Sequence, residues 1–254
     1  MRLAIFAAFP QELRKIIKNL KAAKDARGSH FDIYRATHLS TEIVLVITGI
    51  GTANAELALR HIHAEFGPDI IMSIGYGGAL NEGAAIGDLI WGSKFILMPE
   101  LIEAETSKLS KSEHLEISGN EKIHSKLLHT IAIRAGDIVT IRSPMKKSEL
   151  KKTISEELLN PVCDMETFPL AHFCLETGLR FVAVRSITDL QGEDIPPELY
   201  GISNSSGKYS LACALRMLIF KPRLLPSVFR LARNSQKASH NLCSLVHSFL
   251  ETLQ

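Results

Sequence analysis

The sequence predicts an α/β layer fold. Over the first two-thirds of the chain, short apolar runs alternate with stretches of helical periodicity, and strands alternating with helices are the signature of that class. Glycine-rich turns such as Thr48-Gly-Ile-Gly51 join run ends to helix starts. The chain has 254 residues, 46% of them apolar, and a chain of that length buries roughly 70–75% of its unfolded surface without needing staples. With 29 Lys+Arg against 27 Asp+Glu, the net charge is only +2. Disorder is excluded by that balance, and a nucleic-acid protein would carry a clustered basic excess. No apolar run approaches the ~20 residues of a membrane span. A cytoplasmic enzyme or binding protein is the expectation.

Taken in order, Leu3–Ala8 is a continuous apolar run, and Pro10-Gln11-Glu12 follows it at once. A buried first strand fits that pattern better than a short signal peptide. Further strands are predicted at Phe31–Thr37, Glu42–Thr48, Ile70–Ile74, Asp88–Leu97, Gly136–Ile141, Val162–Asp164 and Phe181–Ser186. Helical spacing covers Gln11–Ala23, Thr52–Glu65, Ile123–Ile133, Lys146–Leu158, Phe168–Leu175 and Tyr209–Ile219. Ala22–Ser29 and Thr106–Asn120 read as polar loops or hairpin tips. Cys163, Cys174, Cys213 and Cys243 have no CxxC spacing, which suits reduced core cysteines. His61 and His63 point to different helix faces, and His124 and His129 have no ligand-type neighbours at metal spacing, so no metal is expected.

Residues 1–220 are read as one catalytic domain, and 221–254 as a basic amphipathic helical tail packed on it. In that tail Val228, Leu231, Ala232, Leu242, Leu245, Val246, Phe249 and Leu253 recur at helical spacing among Arg230, Arg233 and Lys237. It can pack on the main domain or a partner subunit, or lay its basic face on an anionic membrane surface.

Chemistry is expected at strand carboxyl ends. Glu12 stands in the first turn after the opening strand, where it can meet a ligand or simply complement the helix dipole. Two glycine turns, Thr48-Gly49-Ile50-Gly51-Thr52-Ala53-Asn54 and Ser73-Ile74-Gly75-Tyr76-Gly77-Gly78-Ala79, allow backbone N–H groups to approach a phosphate, ribose or base. Neither matches a dinucleotide or Walker fingerprint. Cys163-Asp164-Met165-Glu166-Thr167 ends a short strand, and 23 residues after Glu166 the next strand end delivers Asp189. Clustered acids in a closed pocket raise one another's pKa, so that one can donate a proton near neutrality. Such a set suits a glycosidic bond whose transition state has oxocarbenium character.

These residues resemble the purine nucleoside phosphorylase and methylthioadenosine/S-adenosylhomocysteine nucleosidase superfamily. The resemblance rests on Glu12, Thr48–Asn54, Pro68-Asp69 through Gly78, Ile86-Gly-Asp88, Asp164-Met-Glu166 and Arg185-Ser-Ile-Thr-Asp189, in order across residues 1 to about 190. It implies a single three-layer α/β/α domain around a twisted mixed sheet. It also implies roles. Glu12 would activate water, Glu166 would bind the ribose hydroxyls with Met165 beneath the sugar, and Asp189 would protonate purine N7. Gly77 and Gly78 would line the pocket. Aspartate at 189 points to adenine as the leaving base, and Glu12 favours hydrolysis over phosphorolysis. No cofactor is implied, with phosphate a co-substrate only if the chain is a phosphorylase.

Tyr76 departs from the Ser or Thr usual there, which changes either how Asp189 is held or the pocket's shape, unless the ring turns away from the site. Gly136–Pro144, Val162–Glu166 and the tail Lys221–Arg233 resemble the hopanoid-biosynthesis branch, which removes adenine from adenosylhopane. Small-substrate members generally lack such a tail. The resemblance also implies a homodimer or larger homo-oligomer; separately, the basic amphipathic pattern of 221–254 allows peripheral contact at the inner membrane surface. Alternatives are methylthioadenosine/S-adenosylhomocysteine cleavage, a phosphorylase, and a non-catalytic nucleoside-binding protein.

Overall fold

The computed structural model describes residues 1–26, 30–98, 113–117, 121–154, 157–196 and 221–253. Among the described residues ten strands form one mixed sheet: β1 (Arg2–Ala7), β2 (Ala23–Lys24), β3 (Asp32–His38), β4 (Thr41–Ile47), β5 (Ile70–Ala79), β6 (Leu89–Leu97), β7 (Glu113–Glu116), β8 (Ile133–Thr140), β9 (Val162–Asp164) and β10 (Arg180–Asp189). The helices among the described residues are α1 (Pro10–Asn19), α2 (Thr52–Phe66), α3 (Glu121–Leu128), α4 (Lys147–Thr153), α5 (Thr167–Thr177) and α6 (Leu225–Thr252). A 3₁₀ turn at Pro222–Leu224 leads into α6.

Period-two alternation along the central strands builds the three layers. Leu3, Ile5 and Ala7 of β1 face one side with Leu13 and Ile16 of α1 and the buried face of α6. Ala4 and Phe6 face the other side, with Ala55, Leu59 and Ile62 of α2 and Phe168 and Ala171 of α5. A third cluster gathers Leu80, Ile96, Val139, Ile141 and Leu150 beside α4. Burying each large aliphatic side chain here contributes roughly 1.5–3 kcal/mol.

The sheet curls because β5 has three neighbours. Its first four residues pair in parallel with β1, while Gly78 and Ala79 at its far end pair antiparallel with Cys163 and Val162 of β9. Its opposite edge pairs with β10 over almost its whole length. The path β5–β10–β6–β8–β9 then returns to β5, closing a five-stranded barrel, and β1, β4, β3 and β2 extend from it as an open arm.

Several boundaries differ from expectation. The run predicted to end at Ile74 continues as strand through Gly75-Tyr76-Gly77-Gly78 to Ala79. Glycine in a strand marks close approach of other groups, and a Cβ on Gly77 would lie 2.4 Å from Val162 Cγ2. α1 stops at Asn19 rather than Ala23, because Lys21 turns to φ +49° and Ala23–Lys24 pairs with β3. The helix predicted to Ile133 ends at Leu128, and Ile133 opens β8. The helix predicted to Leu158 ends at Thr153. Glu113–Glu116, within the predicted Thr106–Asn120 loop, is a strand paired with β6. The predicted helix Tyr209–Ile219 lies outside the described residues, as does Cys213.

The last helix divides into two halves. Its C-terminal half buries Ala238, Leu242, Leu245, Val246, Phe249 and Leu250 in the same cluster as α1 and β1. Along its first half Arg230, Arg233 and Lys237 are exposed, and Phe229 is 71% exposed.

Candidate active site

Glu12 is the third residue of α1, and its carboxylate is fully tied to backbone. Oε2 accepts the Phe9 N–H at 2.7 Å, which caps the helix, and Oε1 accepts the Tyr76 N–H at 2.7 Å. It therefore caps its helix and also reaches across to β5. Gly75 makes this possible, since a Cβ there would lie 2.9 Å from Oε1. Burial pushes the Glu12 carboxyl up to about 7, overriding the two N–H donors and the Arg185 charge that favour ionisation.

Glu166 reaches the same space from the start of α5. Its Oε1 accepts the Gly51 N–H at 2.7 Å. Gly51 has φ +98°, a conformation that L side chains rarely adopt, so the glycine turn after β4 is what aims this N–H. Burial raises the Glu166 carboxyl to about 8, and the nearby Asp164 charge adds to the effect. Both acids line one cavity, with Thr48, Ser73, Gly75, Leu170 and Arg185 around them.

Arg185 lies within the Arg185–Asp189 motif, and the sequence alone assigns it no role. It is 2% exposed. Its Nε and Nη2 lie 2.9 and 2.7 Å from Asp164 Oδ2, and Nη2 also donates to Ser73 Oγ at 2.8 Å and Thr167 Oγ1 at 2.6 Å. Asp164 is further held by Thr140 Oγ1 at 2.7 Å and by Thr167. Asp164 thus belongs to a buried ion pair that fixes the β9–α5 junction and so the position of Glu166. A charged residue inside the apolar run Val182-Ala-Val-Arg-Ser-Ile187 was the available signal.

Asp189 stands apart. Register between β5 and β10 shifts between Ile187 and Asp189, a bulge of the kind that re-aims a side chain. Its Oδ1 accepts from Thr188 Oγ1 at 2.8 Å, and its Oδ2 pairs with the Lys147 ammonium. Asp189 lines a second cavity, with Glu193, Asp194, Arg230 and Asn234, rather than the Glu12–Glu166 cavity. In the sequence Lys147 is one of several lysines in a Lys/Glu-rich helix, and nothing there distinguishes it.

The remaining predicted residues divide. Gly78 abuts the Asp189–Lys147 pair, since a Cβ there would lie 2.7 Å from Asp189 Oδ2. Gly77 packs against Val162 and is not among the residues around either cavity. Met165 is half-buried against the Leu80–Leu150 cluster. Tyr76 turns toward α6: its hydroxyl lies 2.6 Å from Ser239 Oγ, and its ring stacks on Phe9. Burial, with the Glu12 charge beside it, pushes that phenol well above its usual range.

A profile of the phosphorylase superfamily matches residues 2–205. The chain belongs to the phosphorylase superfamily. Among relatives of this superfamily enzyme, the 5′-methylthioadenosine/S-adenosylhomocysteine nucleosidase of Buchnera aphidicola is 29% identical over 198 residues, 75% of this chain and 84% of that protein. The aminodeoxyfutalosine nucleosidase of Campylobacter jejuni is 26% identical over 225 residues, 85% of this chain and 98% of the other. The structure of the Helicobacter pylori 5′-methylthioadenosine/S-adenosylhomocysteine nucleosidase superposes with a TM-score of 0.74 at 15% identity, covering 99% of this chain and 98% of that one. The S-adenosylhomocysteine nucleosidase of Streptococcus pyogenes gives 0.72 at 18% identity, over 100% and 98%. Those spans include α6.

Proposed function

We propose that this superfamily enzyme hydrolyses the N-glycosidic bond of a 5′-substituted adenine nucleoside and releases adenine. The observation that carries the reading is Glu12: a buried carboxylate fixed by two backbone N–H groups, raised to about 7, in one cavity with Glu166. A base of that strength is matched to deprotonating water near neutral pH. In the reaction, Glu12 accepts the proton of the attacking water and Glu166 accepts hydrogen bonds from the ribose hydroxyls. Asp189 delivers a proton to purine N7 as the base leaves. Positive charge on the ribosyl transition state is stabilised by Glu12 in its ionised form. Water is the only co-reactant, and no cofactor or metal is needed. The nucleosidase names of the sequence relatives support the same reading. Adenine release independent of phosphate is expected, and release that requires phosphate and yields a sugar 1-phosphate would replace hydrolysis by phosphorolysis.

For the 5′ substituent we propose the lipid of adenosylhopane, as in the hopanoid-biosynthesis branch. It is supported by the exposed first half of α6, where Phe229 stands in water among Arg230, Arg233 and Lys237. That surface suits an anionic bilayer contacted from the cytoplasmic side, with residues 221–254 as the peripheral element and a homo-oligomer as the working form. Methylthioadenosine or S-adenosylhomocysteine cleavage is the competing assignment. Comparing turnover of adenosylhopane in anionic vesicles with that of the two soluble nucleosides decides between them.

A further inference from the structure

Lys147, the first residue of α4, is 5% exposed and carries an ammonium inside the fold. Its Nζ donates to the carbonyl oxygens of Asp189 at 3.1 Å and Leu190 at 2.6 Å, and pairs with Asp189 Oδ2. All three ammonium protons therefore have acceptors. Its own backbone N–H donates to Asp194 Oδ1 at 3.1 Å, which pins the start of α4 to the segment after β10. Gly78 leaves the space that the pair occupies, because a Cβ there would lie 2.8 Å from Lys147 Cε. Tyr76, the β5 side chain two residues earlier, directs its hydroxyl to Ser239 instead. The Cys163 thiol on the same side is pushed up to about 12, first by burial and then by the Asp189 charge, so it remains a neutral neighbour.

Lys147 Nζ and Asp189 Oδ2 are in direct contact, so a proton can pass between them. We propose that Lys147 is a positioning residue for the cleavage: it aims Asp189 and supplies the proton that Asp189 hands to the purine ring. This rests on the reading of Asp189 as the acid. The proton leaves Nζ for Oδ2, then leaves Oδ2 for purine N7 while the C1′–N9 bonding electrons pass to the base. Water adds hydroxide to C1′ and gives its other proton to Glu12, and the neutral amine recovers a proton from solvent. The hydrogen bonding tolerates the first transfer. A neutral Lys147 keeps two N–H donors for the two carbonyls and turns its lone pair to the new carboxylic O–H, so no polar group is stranded.

The test uses two leaving groups on the full-length enzyme. Adenine release is measured with methylthioadenosine, S-adenosylhomocysteine and adenosylhopane, and 4-nitrophenyl β-D-ribofuranoside serves as the contrast, because nitrophenolate departs without protonation. Absence of adenine release by the wild type from every nucleoside overturns the proposed function itself. In an active enzyme, Lys147→Met is expected to lower kcat for adenine release about 100-fold with KM within a few-fold. Nitrophenolate release should fall far less. Lys147→Arg keeps the contact but cannot release a proton, so it should recover little of the adenine rate, and combining Lys147→Met with Asp189→Asn should cost little beyond Asp189→Asn alone. Equal losses on both leaving groups, or a change in KM alone, overturn the role. If Lys147→Met does not fold, the leaving-group contrast in Lys147→Arg carries the same two outcomes.

Discussion

The two carboxylate sites of this molecule are held in opposite ways. Glu12 and Glu166 receive backbone N–H groups from Phe9, Tyr76 and Gly51, with Arg185 engaged by Asp164 below them. Asp189 receives a side-chain ammonium from α4. Backbone donors fix geometry but carry no full charge, so burial wins and both glutamates bind protons near neutrality. An ammonium brings a full charge and a transferable proton. One site is thus suited to accepting a proton and the other to giving one.

The sharpest break of that contrast is Asp189→Asn, which keeps the shape of the side chain but cannot carry a proton to the base. Adenine release should fall on the order of 10³-fold, while a nucleoside still binds in equilibrium dialysis; an unchanged rate would remove Asp189 from the chemistry. Glu12→Gln should cost on the order of 10²-fold. In the wild type the rate should rise as pH passes through about 7, because the base must be ionised, and this limb should vanish in the variant's pH–rate profile. Arg185→Met strands Asp164 in the interior and should cost about 3–5 kcal/mol in denaturant unfolding, with part returned by adding Asp164→Asn.

A smaller effect concerns pH and stability. The folded glutamates keep protons from the ordinary 4.5 up to about 7 and 8, where the unfolded chain has lost them. Their contribution is therefore present below pH 4.5 and lost as pH rises through 7 and 8. For Glu12 this amounts to up to about 3 kcal/mol. Melting wild type and Glu12→Gln side by side from pH 5.5 to 8.5 should show the steeper decline in the wild type. The smallest expected change is Tyr76→Phe, about 1 kcal/mol for the lost bond to Ser239, read from the denaturation midpoint.

Much of the layer order was legible, because alternation in β1, β4 and β5 and helical spacing in α1, α2 and α5 are local signals. Glu12 and Glu166 stood out as acids at strand ends, and they do share a cavity. Lys147 did not, because nothing in a lysine-rich polar helix distinguishes the one lysine that the β10 bulge meets. The continuation of β5 through three glycines was also hidden: in sequence they read as a turn, and only the crossing of β9 and Glu12 explains them. Tyr76 could be marked as a departure, but its partner lies 163 residues away.

That separation has a consequence for how the enzyme comes to life. Gly51 and Glu166 are 115 residues apart, and barrel closure pairs Ile70–Gly78 with Arg180–Asp189. Contacts so distant in sequence carry a loop-closure cost before they bring any gain, and they form slowly. A chain emerging from the ribosome cannot assemble the Glu12–Glu166 cavity until residue 166 is available, nor seat Tyr76 until α6 appears. Catalytic competence should therefore lag behind collapse of the N-terminal arm and arrive only with the last part of the chain.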